Sequence, residues 1–133
     1  MDQIVEKYRK IDTIEEFDPA TEFQVTEAER RLGLEFPREY VILVKEFGAV
    51  SFYATEWNGF NTNAWMDVVE STLDARDTYV DFPKDKFVLE SLHVDELLVL
   101  ADSEGRVFLW RDGVEKKIRS SISEYLDECI SRR

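Results

Sequence analysis

Apolar residues in the first half of the chain recur at the spacing of amphipathic helices. Ile4, Tyr8 and Ile11 fall on one helical face, so a short helix is expected over residues 1–11. The following stretch, residues 12–24, is acidic and irregular. The pattern therefore predicts a helical N-terminal region that is interrupted once before the next helix begins.

Two further helices are predicted around a tight corner. Thr26 followed by Glu29 forms a capping-box pattern, so a helix is expected to begin at Thr26. Gly33 is expected to end it in the left-handed conformation. Pro37 suits the start of the next helix, which Gly48 ends. The apolar face of this second helix consists of Tyr40, Val41, Val44 and Phe47.

The middle of the chain is rich in residues that favour strands and turns. A short strand is expected over residues 49–53, and the Asn-Gly pair at 58–59 is typical of a turn, with a hairpin as one alternative. Residues 66–70 are a candidate strand. Thr72 is a candidate N-cap for a helix that runs through Tyr79.

The last third of the chain predicts a hairpin and a closing helix. Strands are expected over residues 86–91, 97–101 and 106–111, with a turn between the last two, and Ser120 or Ser121 caps the final helix. The order of elements predicts an α+β fold. We expect a single domain over residues 1–133, with a mostly antiparallel central sheet backed by N-terminal helices and a C-terminal helix.

Length and composition support one soluble domain. The chain has 133 residues, of which 44% are hydrophobic. Its longest apolar runs are five residues, whereas a membrane-spanning helix needs about 20. The N-terminus lacks the apolar stretch of a signal peptide, and Cys129 is the only cysteine. These features predict a cytoplasmic protein.

The net charge of −12 is concentrated in two segments. Residues 11–29 hold seven acids and no base, and residues 50–81 hold six acids and one base, Arg76, so the remainder of the chain is neutral. Such segments are often solvated surface, which is the alternative to a partner-binding role. An acidic protein is a poor candidate for binding nucleic acid, because phosphate contacts need a basic surface.

Residues suited to catalysis are sparse. His93 is the only histidine, and we interpret it as structural. Cys129 lies on the apolar face of the last helix and is interpreted as part of the core. No His or Cys pair has metal-ligand spacing, and the glycines are too far apart for a phosphate loop. We therefore predict no enzyme activity, no catalytic residue, no metal and no cofactor.

Binding of a protein partner is the better supported prediction. Interfaces favour aromatic anchors with a polar rim, and the acidic residues 50–81 also contain several aromatic residues. We expect Trp57 and Phe60 to be exposed, because they flank the Asn-Gly pair, and Trp65 to be core along with Phe52 and Phe82. The predicted partner-binding residues are Glu56, Trp57, Asn58, Phe60, Asn61, Asp67, Glu70, Asp74 and Asp77.

The corner between the two helices resembles the opening motif of the SUKH superfamily. The motif combines a helix carrying a Glu, a Leu-Gly pair, an apolar-Pro pair, and a second helix with a Tyr and a closing Gly. The predicted hairpin and the Ser-rich entry to the last helix also fit in order. The matching residues of the corner are Glu29, Leu32, Gly33, Phe36, Pro37, Tyr40 and Gly48.

The resemblance implies an α+β fold and a role in binding proteins. Many bacterial members of this superfamily are immunity proteins that neutralise a secreted polymorphic toxin, often a nuclease, in the cytoplasm, and fungal relatives regulate cell-wall synthesis. It implies a cognate toxin with a basic surface as the partner, and no cofactor. The alternative function is a cytosolic adaptor or regulator that binds an endogenous protein.

Overall fold

The structure is a computed structural model that describes residues 3–132. Its helices are α1 (Gln3–Arg9), α2 (Glu22–Leu32), α3 (Arg38–Phe47), α4 (Val68–Thr78) and α5 (Ile122–Ser131). Its strands are β1 (Val50–Phe52), β2 (Thr55–Trp57), β3 (Lys86–Ser91), β4 (Leu98–Asp102), β5 (Val107–Arg111) and β6 (Val114–Arg119). A short 3-10 helix, Ala64–Met66, precedes α4.

Two antiparallel sheets organise the strands. β3, β4, β5 and β6 form a four-stranded sheet in that order, and β1 pairs with β2 in a separate hairpin. The helices and the mostly antiparallel sheet confirm the predicted α+β class. Within the described range, no helix is both long enough and apolar enough to span a bilayer.

The four-stranded sheet buries residues on both faces. Alternate residues of a strand point to opposite sides, so Val99 of β4 joins the main core with the helices, while Leu100 faces the other way. Leu100 packs in a smaller cluster with Ala75 of α4 and Trp110 of β5. Helix α4 therefore lies beside the second face of the sheet, where the candidate site is found.

Several local predictions are confirmed. Gly33 ends α2 in the left-handed conformation, with φ 69° and ψ 32°. Gly48 follows the last residue of α3, and Ser121, one of the two predicted caps, is the N-cap of α5. Ile4 and Tyr8 are buried on one face of α1 as expected. Residues 1 and 2 of this predicted helix lie outside the described residues.

The predicted start of α2 is wrong. The helix begins at Glu22, and Thr26 lies inside it. The Thr21 hydroxyl accepts a hydrogen bond from the Gln24 backbone N–H, and the Gln24 side chain accepts one from the Thr21 N–H. This complete capping box lies five residues earlier than the predicted one.

Two predictions near α4 are also wrong. Residues 66–70 form no strand, because the Asp67 carboxylate accepts a hydrogen bond from the Glu70 N–H at 2.9 Å and caps α4. Thr72 lies inside the helix, where its hydroxyl accepts a hydrogen bond from the Val88 N–H. The hairpin of this region joins β1 to β2, so the Asn-Gly pair at 58–59 follows the hairpin rather than forming its turn.

Candidate functional site

An open cleft lies between α4 and the adjoining ends of β3 and β4. Its volume is about 560 Å³, and more of its lining is apolar than polar. The floor contains Ala75 of α4, Val88 of β3 and Leu98 of β4. The rim contains Trp65 and Tyr79, together with Glu70 and Asp74. We call this feature the α4 cleft.

The most exposed aromatic residue of the α4 cleft is Trp65. Its side chain is 65% exposed, which contradicts the prediction that Trp65 belongs to the core. The short 3-10 helix explains its position, because Met66 turns inward and is buried while Trp65 points outward. An exposed indole beside an apolar floor is typical of an interface anchor.

Tyr79 ties the end of α4 to the turn between β3 and β4. Its hydroxyl donates a hydrogen bond to Glu96 at 2.9 Å, and this bond raises the pKa of Tyr79. The Tyr79 ring also packs edge-on against Trp110, with 4.9 Å between ring centroids. These two contacts hold the far end of the α4 cleft in place.

The turn that carries Glu96 has a strained backbone. His93, Asp95 and Glu96 all have positive φ angles, of 56°, 50° and 57°, and each such non-glycine residue carries a steric cost. His93 is exposed on this turn and lines the α4 cleft. Its interpretation as a structural histidine stays a prediction.

The charge at the α4 cleft is more negative than the composition of its segment suggests. Arg76, the only base in residues 50–81, turns inward and donates hydrogen bonds to the backbone carbonyls of Leu32 at 2.8 Å and Lys84 at 3.1 Å. Burial lowers the pKa of Arg76. Within residues 3–132, Asp74 and Asp77 form no ion pair, so their charge faces solvent.

A second cavity lies on the other side of the β3–β4 turn. It has a volume of about 270 Å³, and it shares Ser91 and His93 with the lining of the α4 cleft. Glu56 lies at this cavity, and Glu90 forms part of its wall. Arg132 lines this cavity too, so its lining carries charges of both signs.

Glu90 is buried with only 3% of its surface exposed. An irregularity in the β3–β4 register places it opposite Val99, on the core face of the sheet. The Tyr125 hydroxyl donates a hydrogen bond to the Glu90 carboxylate at 2.5 Å. Burial raises the pKa of Glu90, and this effect outweighs the stabilising hydrogen bond.

Cys129 lies at the same cavity and is buried, as predicted. Burial raises the pKa of its thiol to about 11. A thiol with a raised pKa stays protonated near neutral pH and is a poor nucleophile. The residue therefore contributes packing rather than an activated sulfur.

The predicted exposure of Trp57 and Phe60 is wrong. Trp57 is 0% exposed and stacks on Tyr125 with 5.5 Å between ring centroids, and Phe60 is 6% exposed. The polar residue between them explains the error. Asn58 is buried too, and its side chain donates a hydrogen bond to the Val88 carbonyl at 2.9 Å. The Asn-Gly pair therefore crosses the core rather than projecting from it.

The remaining predicted partner-binding residues fall into two groups. Asn61 and Asp67 hold the fold, since the Asn61 amide donates to the Asp18 carbonyl at 2.8 Å and Asp67 caps α4. The exposed acids are Glu56, Glu70, Asp74 and Asp77. Their role in binding a partner stays a prediction. The cap formed by Asp67 and the Glu70 N–H is the local signal that could have placed Trp65 just before a helix.

Comparison with known proteins identifies the family of the chain. Among residues 3–132, no group of His, Cys, Asp and Glu side chains is arranged to hold a metal ion. A comparison with curated proteins found no match. A family model described as SUKH_5, SMI1-KNR4 cell-wall, matches residues 1–131. This match supports an immunity or regulatory protein in general terms, and the chain belongs to the SUKH superfamily.

Proposed function

We propose that this protein is an immunity protein that binds and neutralises one secreted toxin in the cytoplasm of the cell that it protects. The toxin's active domain has a basic surface of the kind that nucleases use to hold phosphates. The observation that carries the proposal is the α4 cleft, where the exposed indole of Trp65 and the carboxylates of Glu70 and Asp74 lie together. Arg76 is turned away from this cleft.

Charge and shape contribute to neutralisation in different ways. Free carboxylates on one face attract a basic partner over a distance of about 10 Å at 0.1 M salt, which raises the association rate. Exposed aromatic side chains bury apolar area once contact is made, which lowers the dissociation rate. A protein bound at a nuclease's phosphate-binding surface excludes the substrate, so inhibition needs no chemical step.

A second candidate is a regulatory module that binds an endogenous protein through the same surface. The description of the matching family, which includes the words cell-wall, favours this alternative. The two functions differ in the partner and not in the surface. Growth protection against a toxin therefore separates them.

Co-expression with a toxin encoded beside this gene tests the proposal. We expect growth to be restored by this protein and not by an unrelated immunity protein expressed at the same level. The doubly substituted variant Trp65→Ala, Asp74→Asn is expected to protect poorly, while Phe23→Ala, which alters another exposed aromatic residue outside the α4 cleft, protects normally. Cell death despite confirmed expression of both proteins would contradict the proposal.

A further inference from the structure

We infer that the α4 cleft is an anchor pocket for one arginine side chain of a basic partner segment, with Trp65 and Asp74 as its main contacts. The identity of that partner rests on the proposed function. The chemistry of the pocket does not, because it follows from the floor, the rim and the charges of the cleft itself.

The floor of the cleft suits the aliphatic part of a long side chain. Ala75, Val88 and Leu98 present apolar atoms, and the backbone of α4 bounds one side. Arginine and lysine can cover such a surface with their methylene groups while the charged end stays at the rim. A volume of about 560 Å³ leaves room for the side chain and part of its backbone.

The rim supplies the carboxylates that a cation needs. Glu70 and Asp74 are four residues apart on α4 and therefore lie on the same face of the helix. Glu70 has one partner, Arg31, at 3.8 Å, whereas Asp74 forms no ion pair with any residue of the described range. The lining that the structure describes contains no lysine and no arginine. The complementary occupant of this rim is a positive charge.

An apolar side chain would be a poorer occupant. It would cover Asp74 without offering a partner for the carboxylate, and an uncompensated buried charge is costly. Arginine matches both the exposed indole and the rim carboxylate. Its planar guanidinium can stack on the indole of Trp65 and donate two hydrogen bonds to one carboxylate. Lysine supplies only a point charge without the flat surface.

Titration of the full-length protein with N-acetyl-arginine methylamide, followed by NMR, tests the inference. We expect saturable amide shifts at Ser71, Ala75 and Leu98 with a Kd on the order of 1 mM. The citrulline analogue has nearly the same shape and no charge. Its affinity is expected to be lower by about fivefold or more. N-acetyl-lysine methylamide is expected to fall between the two.

Matched variants locate the pocket. Asp74→Asn and Trp65→Ala should each weaken arginine binding about threefold or more. Asp77→Asn makes the same charge change on the same helix outside the lining, and it should change binding less than about twofold. The amide spectrum of each variant also shows whether it is folded, and all three are expected to fold because the altered side chains are exposed.

Two results would overturn the inference. Equal affinity for the arginine and citrulline probes would mean that apolar contact alone governs the cleft. Absence of saturable shifts in the folded protein would mean that the cleft binds no such side chain. If the protein binds no arginine probe but still neutralises the toxin, the inference is wrong and the proposed function is retained. If it binds the arginine probe but does not neutralise the toxin, the pocket is retained and the proposed function is wrong.

Discussion

The two acidic segments have similar charge but use it differently. In residues 11–29, several carboxylates bind neighbouring groups of the same protein. Glu22 pairs with Lys45, Glu27 pairs with Arg30, and Glu29 accepts a hydrogen bond from the Phe36 N–H at 2.9 Å. Of these contacts, the Glu22 pair joins α2 to α3, and the Glu29 hydrogen bond fixes the corner between the two helices.

In residues 50–81 the pattern is reversed. Asp67 caps α4 and Glu70 lies 3.8 Å from Arg31, but Asp74 and Asp77 form no ion pair within residues 3–132. The one base, Arg76, donates to the backbone carbonyls of Leu32 and Lys84. The carboxylate of Asp74 also lies beside the apolar floor of the α4 cleft. Counting acids along the chain does not distinguish these two uses, since the partner of Glu22 and the Leu32 carbonyl that binds Arg76 are both distant in sequence.

The largest expected effect is on stability, and it distinguishes the buried tryptophan of residues 50–81 from the exposed one. Trp57→Ala should lower the free energy of unfolding by about 3–5 kcal/mol, because it removes a fully buried indole that stacks on Tyr125. Trp65→Ala should change it by about 0.5 kcal/mol or less. Urea denaturation of both variants measures the difference, and similar losses would contradict the burial described for these two residues.

The next effect concerns binding of the cognate toxin. Trp65→Ala should weaken binding by about 2 kcal/mol, as expected for an exposed aromatic anchor that becomes buried in an interface. Glu16→Ala, an exposed acid of the first segment, should cost under about 1 kcal/mol. Calorimetric titration gives both values. A larger loss of binding free energy for Glu16→Ala would indicate that the interface lies in the first segment.

A smaller effect on stability is expected from an acid of the first segment. Glu29→Met keeps the helix propensity and removes the acceptor of the Phe36 N–H, so the protein should lose about 1 kcal/mol of stability. Asp77→Asn, in the second segment, should stay within about 0.5 kcal/mol of the parent. Thermal melts of the two variants measure the difference. A larger loss of stability for Asp77→Asn would contradict the prediction.

The association rate should report the free charges. Asp74→Asn combined with Asp77→Asn is expected to slow toxin association about threefold at low salt and to reduce its dependence on ionic strength. The same double change at Glu22 and Glu27, which already have partners, should slow association less. Stopped-flow measurements between about 0.05 and 0.5 M salt test this. If both double variants slow association equally, the two segments contribute equally to the attraction of the toxin, and the comparison is contradicted.

The buried acid Glu90 differs from the acids of both segments, because it should make the stability of the protein depend on pH. Its pKa is raised in the folded protein because burial penalises the charged carboxylate, so the folded state holds the proton to a higher pH than the unfolded chain. The free energy of unfolding therefore falls as pH rises from the unfolded pKa, about 4.3, through the folded pKa. Glu90→Gln should remove this fall, as measured by denaturation at several pH values.

Tyr125→Phe provides the matched control for Glu90. It removes a hydrogen bond that favours the carboxylate, and it should therefore extend the loss of stability to higher pH. A Glu90→Gln variant whose stability follows the same pH profile as the parent would show that this residue does not titrate differently in the folded protein.

The sequence by itself determined most of the elements, because their signals act within a few residues. The left-handed glycine after α2, the hairpin between β4 and β5 and the serine cap of α5 all depend on local geometry. Where two local signals competed, at the start of α2, the helix uses the capping box of Thr21 and Gln24. The side chain of Gln24, which completes the cap of α2, also donates a hydrogen bond to Asn61, and this contact lies 37 residues away.

The candidate site shows the same division. The sequence determined that residues 50–81 are acidic and aromatic, and that they contain the exposed acids Glu70 and Asp74. Only the tertiary structure decided that Trp57, which has polar neighbours along the chain, is buried while Trp65, which has apolar ones, is exposed. The burial of Trp57 depends on Tyr125, and the inward turn of Arg76 depends on the Leu32 carbonyl. Both partners are far away in sequence, so no local pattern contains them.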